Sequence, residues 1–235
     1  MIQKNVSLRN YNTFGLNYKA DFFISVRSED GIIRSLKEEG SMKQPLLILG
    51  GGSNILFTSD FNGTIIHPEI DGIKVEETNS EFVIVSAGAG VNWDKFVEWT
   101  VNQGYGGVEN LSLIPGNVGA TPVQNIGAYG TEAKNSIIKV KVISIHDGSE
   151  RTFTNSECCF GYRESIFKNE LKGNYLITMV FYKLNINPLY NLKYGSLEEE
   201  VNKLGGVTLK NIRQSVINTR QSKLPDPMII GNAGS

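Results

Sequence analysis

Cysteine is nearly absent from this chain of 235 residues. The two that occur, Cys158 and Cys159, are neighbours. Adjacent cysteines cannot frame a disulfide-stapled fold, and no other cysteine supplies a metal-ligand spacing. Free thiols suit a reducing compartment, so a cytoplasmic protein is expected. Histidine is as sparse, with His67 and His146 alone, and no metal site is expected. No apolar run reaches the length of a membrane-spanning helix. The opening MIQKNVSLRNYNTF is too polar for a secretory signal. A net charge of −1 leaves no basic field to draw nucleic acid. Two nucleotide motifs are also missing. LILGGGSN lacks the Lys and Ser/Thr spacing of a P-loop, and no G-x-G-x-x-G occurs, because Trp93 stands where GAG at 88–90 would need its third glycine.

What the chain does have is glycine, 25 residues of it, clustered at 50–52, 88–90, 104–107, 116–130 and 231–234. That clustering argues for specialised loops. The length allows one large domain or two small ones. DFFISV (21–26) reads as a strand, EDGIIRSLKEEG (29–40) as a helix stopping at Gly40, PLLILG (45–50) as a short buried strand and TIIHP (64–68) as another strand, which together make a small α/β unit. A different texture follows. IKVEE, EFVIVSAGA, KVKVISIHDGSERTFT and YLITMVFYKL read as strands, with a hairpin turn at Asp147-Gly148. One helix interrupts them, with Trp93, Phe96, Val97, Thr100 and Val101 on a single face. Residues 72–184 therefore read as α+β. SLEEEVNKLGG (196–206) follows. The next helix, 208–224, gathers Leu209, Ile212, Val216 and Ile217 on one side, and little chain remains after it to cover them.

Four stretches could carry chemistry. In LILGGGSN a strand feeds small residues whose successive N–H groups can nest an anion, although a plain glycine turn would read the same way. LSLIPGNVGATPVQNIGAYG (111–130) carries no charged side chain over twenty residues. Amides and glycines without charge suit close contact with a polar, planar partner such as a flavin; an irregular packed loop is the alternative. In FGYRESIFK, Arg163 stands among Phe160, Tyr162 and Phe167, a setting for a partly desolvated carboxylate binder. A surface pair between Arg163 and Glu164 is the simpler reading of that pattern. The fourth stretch, RQSKLPDPMIIGNAGS, holds Arg220, Lys223 and Ser235, and no GxSxG elbow activates that serine.

Taken in order, NTFG (12–15), LILGGGSN, AGAGVNW, ENLSLIPGNVGATPVQNIGAYG, FGYRESIFK, KLPDP and GNAGS resemble the UDP-N-acetylenolpyruvoylglucosamine reductase family of flavoenzymes. The resemblance covers nearly the whole chain. It implies an α+β FAD-binding fold of the vanillyl-alcohol-oxidase (PCMH-like) type. The expected parts are a small α/β domain (1–71), a larger α+β domain (72–207) and the start of a substrate domain (208–235). FAD would lie between the first two. Its pyrophosphate would sit near Gly50, Gly51, Gly52, Ser53 and Asn54, with Pro115, Gly116, Gly119, Ala120, Thr121, Asn125 and Gly127 around the ring and the adjacent phosphate. The implied reaction is NADPH-dependent reduction of an enolpyruvyl ether on a UDP-sugar. Arg163 matches the residue that stabilises the enolate, Ser235 the proton donor, and Tyr129, Tyr194, Arg220 and Lys223 the substrate contacts. The family chain continues past GNAGS, so a truncated form is expected here, with a further carboxylate beyond Ser235. Another flavin oxidoreductase of the same fold, or an inactive FAD-binding fragment, are the alternatives. A monomer is favoured.

Overall fold

The computed structural model describes residues 2–37, 42–226 and 229–233. Four strands form the first sheet: β1 (Ile2–Ser7), β2 (Lys19–Val26), β3 (Leu46–Ile48) and β4 (Phe61–Pro68). Their order is β1-β2-β4-β3, with β4 parallel to both neighbours and β1 antiparallel to β2. A strand paired on both sides and covered on both faces is buried along its middle. In β4, Thr64, Ile65 and Ile66 are accordingly buried. Each of those isoleucines is worth about 1.5–3 kcal/mol of burial. Ile65 faces Leu8, Phe23, Leu49 and Phe57. Ile66 faces the opposite way, toward Ile24, Ile32 and Ile70. The helix α1 (Glu29–Lys37) follows β2; its expected stop at Gly40 lies outside the described residues.

The second sheet is antiparallel and five-stranded. Its first strands are β5 (Ile73–Thr78) and β6 (Phe82–Gly88), followed by helix α2 (Trp93–Asn102) and a small hairpin, β7 (Gly127–Ala128) with β8 (Thr131–Glu132). The remaining strands are β9 (Ile137–Ser144), β10 (Glu150–Thr154) and β11 (Tyr175–Asn185), giving the order β10-β9-β11-β6-β5. Asn92 caps α2 by accepting the Lys95 N–H at 3.1 Å. All five residues expected on its inner face are buried, and Trp93 and Phe96 stack around Tyr182. The two sheets share a core, because Ile143 and Leu176 join the cluster of Ile24, Ile32 and Ile66. A polar latch adds to it. Lys141 Nζ meets Glu29 Oε2 at 2.5 Å and Glu150 Oε2 at 2.9 Å, while Thr178 Oγ1 donates to Glu29 Oε1 at 2.7 Å.

Three expectations need correction. β3 is a three-residue edge strand that is only half-buried; Leu47 and Ile48 pack against the two cores, and all three side chains also line a cleft. The apolar face of α4 (Leu209–Lys223) is covered after all. The cover comes from the preceding chain, where Leu197 and Val201 of α3 (Leu197–Lys203), with Tyr129, Tyr190 and Leu192, pack on Ile212 and Val216. β1 was not expected at all, since its mostly exposed residues carry no alternating pattern.

Candidate active site

The cleft opens where β3 runs into Gly50–Asn54. His67 Nδ1 lies 2.7 Å from the Leu49 carbonyl oxygen and holds the end of the strand. Gly52 has φ +66°, and a Cβ there would fall 1.9 Å from the Tyr11 carbonyl oxygen, so glycine alone fits. Across the cleft runs the loop from Pro115 to Gly127. Ser53 Oγ donates to Pro115 O at 3.3 Å, Asn54 Nδ2 donates to Gln124 Oε1 at 2.8 Å, and a Cβ on Gly51 would lie 2.9 Å from Gly116 Cα. The two glycine-rich stretches thus line one cavity of about 520 Å³, within the size range of small-molecule sites.

The polarity of that cavity is unusual. None of the N–H groups of Gly50 to Asn54, nor those of Gly116 and Asn117, donates to a protein acceptor among the described residues. Main-chain donors held open at a cleft favour an anion, typically a phosphate. Leu46, Ile48, Phe167, Tyr175 and Ile177 supply apolar walls, and Lys168 and Lys172 also line the cavity. Donors for a diphosphate beside slots for flat rings fit a flavin dinucleotide.

The loop is fixed from behind. The segment 89–93 zips to it: Gly119 N–H donates to Ala89 O at 3.0 Å, Val118 N–H to Val91 O at 2.8 Å and Trp93 N–H to Gly116 O at 3.0 Å. A Cβ on Gly119 would lie 2.6 Å from that of Ala89. Thr121 Oγ1 donates to Val118 O at 2.8 Å and lies 2.9 Å from the fully buried Tyr182 hydroxyl. Burial drives that phenol far above its ordinary pKa, so it stays neutral. Ala120 also lines the cavity. Asn125 turns away from it, donating to Gly161 O at 2.8 Å and accepting the Lys134 N–H at 3.0 Å. Its side chain pins the loop to the Arg163 segment.

Beyond Asn125 the same loop builds a second cluster. Arg163 donates from Nη2 to Gly127 O at 2.5 Å. The Tyr129 ring meets the Tyr194 ring edge-on at 5.7 Å. Burial raises the Tyr129 phenol pKa, and the nearby Arg220 charge opposes this. Arg220 is itself buried and donates from Nε to Leu113 O at 3.2 Å; burial lowers its pKa. Two sequence expectations change here. Arg163 is exposed rather than desolvated, on a tight turn with φ +57°. Glu164 does not pair with it and bonds Lys168 and Asn169 instead. Lys223 is exposed on the last turn of α4. Ser235 lies outside the described residues, and the nearby Asn232 bonds Thr13 through both backbone groups. Thr13 N–H in turn donates to Gly52 O at 3.2 Å, so this last segment is tied to the glycine loop.

Sequence reasoning missed His67, Asp94, Arg213 and Thr13. Asp94 reads only as an acid in the first turn of a helix, and its partners stand 19 and 119 residues away.

The fold and cleft define an FAD-binding domain protein, and the FAD binding domain family matches residues 20–154. A UDP-N-acetylenolpyruvoylglucosamine reductase of Flavobacterium johnsoniae is 50% identical over all of this chain and 70% of its own length. The enzyme of the same name from Bacteroides fragilis is 44% identical over the same shares. The chain belongs to the UDP-N-acetylenolpyruvoylglucosamine reductase family. In fold it resembles the crystal structure of the Thermus caldophilus reductase (MurB), with a TM-score of 0.72 and 23% identity over 97% of this chain and 72% of that one. A glucooligosaccharide oxidase of Acremonium strictum, an FAD protein, shares the fold more distantly, with a TM-score of 0.53 and 13% identity over 78% of this chain and 40% of that one.

Proposed function

We propose that this chain binds FAD between its two sheets and uses NADPH to reduce the enolpyruvyl double bond of UDP-N-acetylglucosamine enolpyruvate, a step in peptidoglycan precursor synthesis. The observation that carries this reading is the loop from Pro115 to Tyr129. One end faces the open N–H groups of Gly50–Asn54, and the other meets Arg163, Arg220 and Tyr194. Cofactor cleft and cationic cluster are thus opposite ends of one rigid segment. When bound, FAD supplies the relay of hydride from NADPH to the β-carbon of the ether. The protein's own residues do the rest. Open amides at 50–54, 116 and 117 hold the diphosphate, and Gly119, Ala120 and Thr121 shape the wall beside the ring. Asn125 and Gly127 orient the Arg163 turn. Arg163 meets the substrate carboxylate as it gains enolate charge, which favours the transition state over the ground state. Ser235 donates the proton to the α-carbon; a serine can do so only where that charge is already spread onto a held carboxylate. Tyr129, Tyr194, Arg220 and Lys223 take the sugar diphosphate.

In this reading, residues 1–71 and 72–207 grip the cofactor and 208–235 open the substrate-facing part. No helix among the described residues is long and apolar enough to cross a membrane, and the free thiols suit a reducing cytoplasm. Stopped-flow absorbance of a Ser235→Ala variant tests the proposal. NADPH should still bleach the flavin band, and the UDP-sugar enol ether should fail to restore it. Equal loss of both half-reactions would contradict the assignment of Ser235.

A further inference from the structure

Asp94 stands in the first turn of α2 with three hydrogen bonds on its carboxylate. Oδ1 accepts the Leu113 N–H at 2.5 Å and Arg213 Nη1 at 2.6 Å, and Oδ2 accepts Arg213 Nη2 at 2.9 Å. The Arg213 pair is a two-pronged fork, and its side chain is only 11% exposed. Leu113 is held at its other backbone group too, because its carbonyl accepts from Arg220 Nε. It is a non-glycine residue at φ +59°, a conformation that persists only where neighbours enforce it. Two residues later the cofactor loop begins at Pro115. One strained residue at the mouth of that loop is therefore gripped by a side chain from α2 and another from α4, and the fork joins those two helices directly.

We propose that Asp94 and Arg213 are positioning residues that fix α4, with Arg220 and Lys223, at one distance from the cofactor loop. The proposal rests on the function given above. Beyond the fork, α4 reaches the Leu113 carbonyl through Arg220 Nε and lies on α3, Tyr129, Tyr190 and Leu192 through apolar contacts, which are non-directional. A bidentate ion pair is directional and sets register. Transfer between two bound molecules demands such register, since a misplacement of about 1 Å can cost on the order of a hundredfold in rate.

Four variants of the FAD-loaded protein test this. Arg213→Met keeps bulk and leaves Asp94 on Leu113; it should raise KM for the UDP-sugar enol ether about tenfold, with FAD affinity unchanged. Arg213→Lys keeps the charge without the fork and should recover only part of that KM. Asp94→Ala also releases Leu113, so FAD affinity, read by quenching of flavin fluorescence, should fall about tenfold as the loop loosens. If Asp94→Ala does not fold, the Asp94→Ala/Arg213→Met double variant leaves no buried charge unpaired and takes its place. A lower melting temperature for Arg213→Met with KM unchanged, or full rescue by Arg213→Lys, would reduce the pair to ordinary stability and overturn the proposal. If the wild-type protein bound FAD but never reduced the enol ether, the proposed function would fail. The FAD affinities of the Asp94 and Arg213 variants would still decide whether the clamp exists, and equal affinities would sink it.

Discussion

Cys158 and Cys159 share a peptide bond but not an environment. Cys158 is buried in the core of the second sheet, and burial, with the charges of Glu157 and Cys159, pushes its thiol up to about 12. Cys159 is exposed at φ +48°. Since the thiolate is the nucleophile, iodoacetamide at neutral pH should label Cys159 alone, and Cys158 only after denaturation. Mass spectrometry of the labelled peptide reads this directly; equal labelling of the folded protein would refute the burial. Residue placement was legible in the sequence at Gly50–Asn54, which line the cleft. It was illegible where partners are distant in sequence. Asp94 with Arg213, and Thr13 with Asn232, become pairs only through the fold. The aromatic setting of Arg163 misled for a related reason: Phe167 turns inward to the core while Tyr162 is 80% exposed, leaving the arginine on a surface turn.

Among the elements, the cofactor loop depends on its supports more than on its own sequence. Tyr182 on β11 reaches it through one hydrogen bond to Thr121, whose own hydrogen goes to Val118 O. The phenol is therefore the donor to Thr121. Tyr182→Phe removes a net hydrogen bond worth about 1 kcal/mol, or about 2–4 °C in a chain of this size. Thr121→Val strands a buried hydroxyl and should cost more, about 1–3 kcal/mol. Urea melts of the apoprotein check the order; a larger loss from Tyr182→Phe would mean the hydroxyl donates elsewhere. α2 could be read whole from its apolar spacing and Gly104, because helical period and burial agree there. β1 could not, because only its backbone pairing with β2, not a buried face, makes it a strand. α4 was legible as a helix but not in its packing, which depends on α3 behind it.

At the level of the whole molecule, two sheets share a core and carry a cleft lined from both. The shared isoleucine and leucine core and the Glu29–Lys141–Thr178 latch join them. Burial lowers the Lys141 pKa, but its hydrogen bonds to Glu29 and Glu150 outweigh this and raise it overall, so Lys141 stays charged at neutral pH. The sequence showed two glycine-rich stretches and an uncharged loop. It could not show that they face each other, since 62 residues separate Ser53 from Pro115. The open amides of this cleft are the proposed seat of the cofactor. Hydrogen–deuterium exchange with and without FAD tests it at the atoms concerned. Protection should appear at the N–H groups of residues 50–54, 116 and 117, which have no protein acceptor among the described residues, while amides of β5 and β10 on the far edges of the second sheet stay as they were. Tight FAD binding with exchange at 50–54, 116 and 117 unchanged would place the cofactor elsewhere and contradict the account.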